Sequence, residues 1–267
     1  MKRKLTLLAL TVFMVSILLA GCGSKAPSDT SLQDIKSKGK FVVGLDDSFP
    51  PMGFRDENNN IVGFDIDMAK EAAKRMGVNV EFKPVQWDGV ILSLNSKDID
   101  VIWNGLTITD ERKQQIDFSK VYLENKQIIV VKAGSTLASK KDLTGKVVGL
   151  QLGSSSETAL AADTETSKSL KEVKKYSTNT EALLDLKNGR IDAVVVDEVV
   201  GRYYIAKTPD VYSVLTEDFG KESYGVGFRK TDVTFRNELD KVLDEMKADG
   251  TADKISNKWF GKSIITK

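Results

Sequence analysis

The chain has 267 residues and a nearly balanced charge, with 39 lysines and arginines against 38 aspartates and glutamates. It contains no histidine and one cysteine, Cys22. These absences exclude a Ser-His-Asp triad, histidine-ligated zinc or haem, disulfide bonds and a cysteine–histidine nucleophile. A nucleic-acid-binding domain would need a net basic charge, so no nucleic-acid partner is expected. We also expect no metal ion and no cofactor.

The N-terminus has the pattern of an export signal. Basic residues at positions 2–4 precede an apolar stretch, Leu5–Leu19, that is too short to span a membrane comfortably. The sequence then reads Leu-Ala-Gly-Cys, which resembles a bacterial lipoprotein processing site. That resemblance implies a signal peptide of residues 1–21, diacylation of Cys22 and a flexible tether over residues 22–37. An ordinary secretory signal or an anchor helix is the alternative.

Beyond the tether, the chain alternates predicted strands and helices. Phe41–Leu45 is a predicted strand, and Asp65–Met76 is a predicted helix with apolar residues on one face and Asp65 as its N-cap. A strand, a helix and a strand follow, over Val78–Val85, Asp88–Ser96 and Ile99–Trp103. This βαβ order predicts an α/β fold with largely parallel sheets.

Three residues near the first strand are candidates for a ligand site. Asp46 follows that strand at its carboxyl end, where ligands bind in open α/β sheets. Phe49, in the proline-rich turn that follows, and Trp87 could each serve as an aromatic platform for a ligand. Single aromatic residues are more often part of a core, so both roles stay open at this stage.

Polar residues after the strand Ile99–Trp103 have the chemistry of a receptor for a small zwitterion. Asn104 and Thr107 offer an amide and a hydroxyl group, and Gly105 exposes its backbone. Arg112 carries a permanent charge and a two-pronged donor geometry that suits a carboxylate. The alternative is that Arg112 is a solvated charge on a helix.

The second half of the chain offers two further candidates. Ser154 and Glu157 fit a capping box at a helix start, where free backbone N–H groups bind anions. The turn lacks the lysine of a nucleotide-binding P-loop. Asp197 closes the apolar strand Ile191–Val196. A carboxylate at that position needs a partner, unless it only caps the helix that follows.

A weak internal repeat predicts two similar lobes. Ile99-Asp100 and Ile191-Asp192 each stand at a junction from a helix into a buried strand, and we expect both aspartates to be structural. Two segments, Lys126–Val131 and Tyr224–Arg229, are predicted to cross between the lobes. The predicted boundaries are residues 38–125 plus 221–267 for the first lobe and residues 126–220 for the second.

The order of the motifs along the chain is itself informative. They are Asp46-x-x-Phe49-x-Pro51, Gly63-Phe64-Asp65-Ile66-Asp67, Trp87-Asp88, Gly105-Leu106-Thr107-Ile108-Thr109-x-x-Arg112, Gly153-Ser154-Ser155, Asp197-Glu198 and Lys258-Trp259-Phe260-Gly261. From about Phe41 to Gly261 this order resembles the polar amino-acid-binding proteins of ABC importers, solute-binding protein family 3. The resemblance implies a two-lobed periplasmic-binding-protein-like fold of type II, in which each lobe is a mostly parallel sheet with flanking helices.

The resemblance also implies which residues bind the two ends of an amino acid. Arg112 would hold the α-carboxylate, assisted by Ser154 and Ser155. Asp197 would bind the α-ammonium group together with Thr107.

Other matching residues would complete the site around the ligand. The Gly105 carbonyl would be a further acceptor for the ammonium group. Phe49 and Trp87 would flank the ligand's side chain, and Asp46 would belong to its specificity pocket. Asn104 stands where several family members have a small hydroxyl residue, so the sequence leaves the identity of the amino acid open.

The implied function is transport rather than catalysis. The mature protein would be a monomer, anchored by lipid at the outer face of the bacterial cytoplasmic membrane. It would bind a free amino acid and deliver it to an ABC permease and its ATPase subunits. There are two alternatives: a small-acid dehydratase-type enzyme on the same fold, which would need Asp46 as a general acid, and an amino-acid sensor, which would need a transmembrane helix.

Overall fold

The computed structural model describes residues 29–266. The predicted signal peptide and Cys22 lie outside these residues. Within them, no helix is long and apolar enough to cross a membrane. The predicted tether ends earlier than expected, because Ser31–Lys38 forms helix α1. Ile35 is buried on this helix, and the Ser31 hydroxyl hydrogen-bonds to Thr234, so the segment is part of the folded body.

The first sheet is mixed. Its strands, numbered along the chain, are β1 (Lys40–Leu45), β5 (Asn79–Pro84), β6 (Val101–Ile102), β7 (Asp117–Phe118) and β13 (Gly227–Phe228), in the spatial order β5-β1-β6-β13-β7. β1 is parallel to β5 and β6, whereas β13 is antiparallel to β6 and β7. A small antiparallel sheet follows β1 in the chain and consists of β2 (Ser48–Phe49), β3 (Gly53–Arg55) and β4 (Ile61–Val62).

The second large sheet repeats this arrangement. Its strands are β8 (Leu123–Lys132), β9 (Val147–Gln151), β10 (Glu172–Tyr176), β11 (Ala193–Asp197) and β12 (Tyr212–Tyr224), in the order β10-β9-β11-β8-β12. β9 is parallel to β10 and β11, whereas β8 is antiparallel to β11 and β12. The predicted α/β fold is confirmed, and the parallel part of each sheet consists of three strands.

Helices pack against both sheets. The helices after α1 are α2 (Phe64–Met76), α3 (Val90–Asn95), α4 (Asp110–Gln115), α5 (Ser155–Ala162), α6 (Thr164–Ser169), α7 (Asn179–Lys187), α8 (Glu198–Lys207), α9 (Val233–Ala248) and α10 (Thr251–Phe260), with 3-10 turns at Trp87–Gly89 and Lys140–Leu143. Aromatic and aliphatic side chains of the long helix α9 are buried in the core of the first sheet, where the Phe235 ring lies 5.5 Å from that of Phe41.

The two aspartates of the internal repeat have the same structural role. A carboxylate oxygen of Asp100 accepts the N–H of Val42 at 2.9 Å, and one of Asp192 accepts the N–H of Val147 at 2.8 Å. Each aspartate thereby satisfies a backbone donor of a neighbouring strand, which would be costly to leave unpaired in the interior. This confirms that both residues are structural.

The chain passes between the two large sheets at two places. Residues 119–122 lead from β7 to β8, and residues 225–226 lead from β12 back to β13. The predicted crossing Tyr224–Arg229 contains the second of these links. The other predicted crossing, Lys126–Val131, lies inside β8 instead of before it, because β8 is paired with β12 along most of its length. The lobe boundary within these strands stays a prediction.

Helix α2 begins differently from the prediction. Gly63 occupies the N-cap position, and Asp65 is fully buried in the first turn. The Asp65 Oδ2 atom accepts the Gly105 N–H at 2.7 Å and the Tyr122 hydroxyl at 3.0 Å. The expectation that Asp65 caps the helix was therefore wrong, because donors distant in sequence satisfy this carboxyl group. Its bonds hold the Gly105 turn against α2.

Candidate functional site

Residues from both halves of the fold meet around a small cavity of about 10 Å³. This volume leaves room for about one water molecule. Eight of the nine lining residues are predicted site residues; the ninth, Gln151, is not. The lining consists of Phe49, Trp87, Gly105, Thr107, Arg112, Gln151, Ser154, Ser155 and Asp197.

Arg112 is a buried cation without a counter-ion. Its Nη1 atom donates to the Thr107 carbonyl at 2.9 Å and its Nη2 atom to the Gly153 carbonyl at 3.1 Å. The residue is 9% exposed, and no carboxylate oxygen lies within 4.0 Å of it among residues 29–266. Burial lowers the pKa of Arg112, an effect that the charges of Glu222 and Asp197 oppose. Because a guanidinium group stays protonated in proteins, this site favours an anion.

Asp197 is a buried carboxyl group held by neutral donors. Its Oδ1 atom accepts hydrogen bonds from Asn125 at 2.8 Å, Gln127 at 2.9 Å and Tyr224 at 2.6 Å. It occupies the N-cap position of α8 but makes no capping bond, so the capping alternative was wrong. Burial, followed by the negative charge of Glu222, raises the pKa of Asp197 well above its usual value. A cation at this position would stabilise the charged form.

Glu222 is a site residue to which the sequence did not point. Its Oε1 atom accepts hydrogen bonds from Thr107 at 2.8 Å, Asn125 at 2.7 Å and Gln127 at 2.7 Å. The Ser155 hydroxyl donates to the same oxygen at 3.3 Å. Glu222 therefore contacts groups from both sides of the cleft.

Strand register explains why these polar side chains meet. Glu222 lies directly opposite Asn125 in the β8–β12 pair, and Asp197 lies directly opposite Gln127 in the β8–β11 pair. Asn125 and Gln127 are two residues apart on β8 and hence point to the same face of the sheet. Three adjacent strands thus place two carboxyl groups and two amides on one surface. The alternating polar residues along β8 were visible in the sequence, but they do not specify how β8 aligns with β11 and β12.

The loop before α5 supplies two hydroxyl groups. The Ser154 Oγ atom accepts the Glu157 N–H at 3.4 Å, which confirms Ser154 as an N-cap. The Glu157 carboxylate bonds to the Gly153 N–H at 2.9 Å instead of to Ser154, so the predicted capping box is half formed. The Ser155 and Thr107 hydroxyl oxygens lie 3.0 Å apart across the cleft. Both serines line the cavity that Arg112 lines.

Asp46 and Asn104 adjoin the cavity without being part of its lining. Asp46 accepts hydrogen bonds from Gln151 at 2.7 Å and from the Ser48 N–H and hydroxyl at 2.9 and 2.6 Å. Burial raises the pKa of Asp46, while the bonds from Ser48 and Gln151 oppose the rise. The Asn104 Oδ1 atom accepts the Asp46 N–H at 3.1 Å, so Asn104 positions the Asp46 backbone.

The aromatic residues form one wall of the cavity. The Phe49 and Trp87 rings are nearly parallel, with centroids 6.4 Å apart and an angle of 6° between their planes. The Arg112 guanidinium carbon lies 6.0 Å from the Trp87 ring. Gly105 has a φ of +59°, and a Cβ atom there would lie 2.9 Å from the Phe49 ring and 3.1 Å from the Tyr224 ring. A larger residue would disturb this wall.

A larger groove of about 880 Å³ runs between β3 and α8. Two of its cations are already paired, because Arg55 bonds to Asp47 at 2.5 Å and Lys258 bonds to Asp67 at 2.6 Å. The smaller cavity differs in that its buried charges have no ionic partner within 4.0 Å among the described residues. We therefore assign the candidate ligand site to the smaller cavity.

Known proteins are similar to this chain over most of its length. Residues 41–262 match the model of the bacterial extracellular solute-binding proteins, family 3. The chain belongs to this family. This solute-binding protein is 36% identical over 259 residues to the L-cystine-binding protein TcyJ of Escherichia coli K12, and the alignment covers 96% of each chain.

Two further similarities concern other amino acids. The arginine-binding extracellular protein ArtP of Bacillus subtilis is 33% identical over 261 residues, which are 95% of this chain and 97% of ArtP. The crystal structure of an ABC uptake transporter substrate binding protein from Streptococcus pneumoniae with bound histidine has a TM-score of 0.87 at 36% identity. It covers 91% of this chain and 100% of that one. The predicted family and the two-lobed fold of type II are thereby confirmed.

Proposed function

We propose that this solute-binding protein is an extracytoplasmic receptor that binds one polar amino acid between its lobes and delivers it to an ABC importer. The observation that carries the proposal is that Arg112 and Asp197 line one small cavity, and that each lacks an ionic partner within 4.0 Å among residues 29–266. Buried charges are costly unless they are paired. The carboxylate and ammonium groups of a free amino acid would pair both.

The backbone of the amino acid would be bound at its two ends. Arg112 would hold the α-carboxylate, with Ser154 and Ser155 as additional donors. Asp197 would bind the α-ammonium group, and Thr107 and the Gly105 carbonyl would complete its acceptors. The contacts of Arg112 with backbone carbonyls support this assignment, because they orient the guanidinium group without neutralising it.

The side chain of the amino acid would lie between Phe49 and Trp87 and extend towards Asp46. Asp46 has no cationic partner within 4.0 Å among the described residues, and Asn104 fixes its backbone. A polar or cationic side chain would suit this environment. Relatives named for cystine, arginine and histidine binding are consistent with such a ligand.

We propose a binding protein in preference to an enzyme. A dehydratase would need a general acid at Asp46, but three hydrogen-bond donors hold that carboxyl group as an acceptor. A receptor needs only such fixed acceptors. Incubation of the protein with its bound amino acid and chemical analysis of the mixture tests this point, and turnover would contradict it.

The transport role includes partners and a location. The two lobes, residues 38–125 plus 221–267 and residues 126–220, would close on the ligand as a monomer and present it to the permease, whose ATPase subunits drive uptake. Diacylation of Cys22 would hold the protein at the outer face of the cytoplasmic membrane. Cys22→Ser should release a functional protein from the membrane fraction. A variant that stays membrane-bound would contradict lipidation as the anchor.

The receptor function is tested by a thermal-shift screen of the standard amino acids and cystine, followed by titration calorimetry. A ligand that binds only the folded state should raise the melting temperature, because binding at a thousandfold excess over Kd adds about 4 kcal/mol of stability. The wild-type protein should respond to a small set of polar amino acids. A screen without any shift or heat of binding would contradict the proposal.

A further inference from the structure

The cleft contains a second carboxyl group, the half-buried Glu222, beside the one assigned to the α-ammonium group. Asn125 Nδ2 donates to Asp197 at 2.8 Å and to Glu222 at 2.7 Å. Gln127 Nε2 likewise donates to Asp197 at 2.9 Å and to Glu222 at 2.7 Å. Two carboxyl groups that share the same two amides are close neighbours. Neither has a lysine or arginine nitrogen within 4.0 Å in the described part of the chain.

A negative charge beside a buried carboxyl group opposes the ionisation of that group. Burial and the charge of Glu222 both raise the pKa of Asp197. The titratable or charged groups that face the pair are Tyr224 and Arg112. Tyr224 donates a hydrogen bond to Asp197, and Arg112 bonds to backbone carbonyls. A cation placed between the two carboxyl groups would favour the ionised form of Asp197.

We infer that Glu222 is a second ligand-binding residue for the α-ammonium group, and that this group displaces a proton from Asp197. The inference rests on the proposed function. Before binding, Asp197 carries a proton. An ammonium group has three N–H donors and bonds to both carboxyl groups, so the Asp197 proton leaves for solvent. One ammonium group is bound and one proton is released.

Competition between the proton and the ligand gives the affinity a definite pH dependence. Below the pKa of Asp197, Kd for the amino acid should rise by up to about tenfold for each unit of pH decrease. An analogue without the α-amino group cannot displace the proton and should not show this dependence. A merely structural role for Glu222 predicts neither result.

The experiment is titration calorimetry with L-arginine, L-histidine and L-cystine, and with the deaminated analogue of each that binds. Each titration is repeated near neutral pH in buffers of different ionisation enthalpy, which counts the protons released. We expect release of about one proton per amino acid by the wild-type protein and none with the deaminated analogue. This measurement on the wild-type chain does not depend on whether a variant folds.

Two matched variants identify the residue responsible. Glu222→Gln keeps the size of the side chain and should abolish proton release, weakening amino-acid binding about tenfold or more at about pH 8. The difference from wild type should shrink as pH falls, because the proton on Asp197 then weakens binding to the wild-type protein as well. Glu124→Gln is the control, because Glu124 is an exposed carboxylate of the neighbouring strand β8 that bonds only to Ser223 among the described residues.

The outcomes separate the inference from the proposed function. Tight binding by the wild-type protein without proton release, or a Glu222→Gln variant that matches wild type at about pH 8, would overturn the role of Glu222 and leave the receptor intact. Absence of binding of every amino acid to both the wild-type protein and Glu124→Gln would instead contradict the receptor function itself.

Discussion

Arg112 and Asp197 are the residues whose removal should be most informative, because each faces one end of the proposed zwitterion. Arg112→Ala should weaken binding of the amino acid by about 2–5 kcal/mol, since the ligand carboxylate would be buried without its partner. Binding of the corresponding carboxamide, which carries no negative charge, should change far less. Titration calorimetry with both ligands measures the difference.

Asp197→Ala is the counterpart of Arg112→Ala at the other end of the ligand. It should weaken binding of the amino acid far more than binding of the deaminated analogue, which lacks the α-ammonium group. Lys113→Ala is a control for Arg112, because Lys113 lies next to it on α4, is exposed and pairs with Asp110 at 3.1 Å. Affinity of Arg112→Ala close to that of Lys113→Ala would contradict the assignment of the carboxylate end.

At the level of elements, the start of α2 and the Gly105 turn are joined by one buried carboxyl group. Asp65 accepts the Gly105 N–H and the Tyr122 hydroxyl, and its Oδ1 atom has no partner among the described residues. Burial raises the pKa of Asp65 to about 7. Folding therefore favours the protonated, neutral form of Asp65. The contribution of this form to the free energy of unfolding is fully present below the usual aspartate pKa, and it is lost as pH rises through about 7.

Asp65→Asn should remove this pH dependence and leave the fold intact, because an asparagine oxygen can accept both hydrogen bonds. Between about pH 5 and about pH 8, unfolding free energy of the variant relative to wild type should increase by on the order of 2 kcal/mol. Urea unfolding of the ligand-free proteins at several pH values is the measurement. If the unfolding free energies of the two proteins changed in parallel with pH, Asp65 would not be the source of the pH dependence.

Strands and helices whose ends depend on neighbouring residues in the sequence were predictable. The strand predicted at Phe41–Leu45 is β1, and the helix predicted to end at Met76 does so, with Gly77 at a φ of +72° as its stop. Candidate ligand residues were found where a strand ends in a polar turn, as at Asp197. That rule depends on topology more than on exact element boundaries.

The cluster of polar residues on strands β8 and β12 was not predictable in the same way. Asn125, Gln127 and Glu222 lie within long strands and not at strand ends, and their meeting depends on how β8 aligns with β11 and β12. Register between strands far apart in sequence cannot be derived from alternation alone. Asp65 was misassigned for a related reason, because its partners Gly105 and Tyr122 are distant in the chain.

At the scale of the whole molecule, we expect closure of the two predicted lobes to depend on a close backbone approach at Gly153. A Cβ atom there would lie 2.9 Å from the Asp88 Cα atom and 3.1 Å from its Cβ atom, and the Gly153 carbonyl accepts a hydrogen bond from Arg112. By the predicted lobe boundaries, Gly153 belongs to the second lobe, and Asp88 and Arg112 belong to the first. We therefore expect any side chain at Gly153 to act on the closed form in particular.

Gly153→Ala should weaken amino-acid binding by about tenfold or more, because overpacking at such a contact costs about 1–3 kcal/mol. The matched control is Gly145→Ala, since Gly145 has the same φ of +71° but nothing within 4 Å of an added Cβ atom. Both variants should lose about 1 kcal/mol or slightly more of stability from the left-handed backbone. Only Gly153→Ala should retain a larger radius of gyration in small-angle X-ray scattering at ligand concentrations that close the wild-type protein. Equal ligand affinities for the two variants would mean that the Gly153–Asp88 contact does not limit closure.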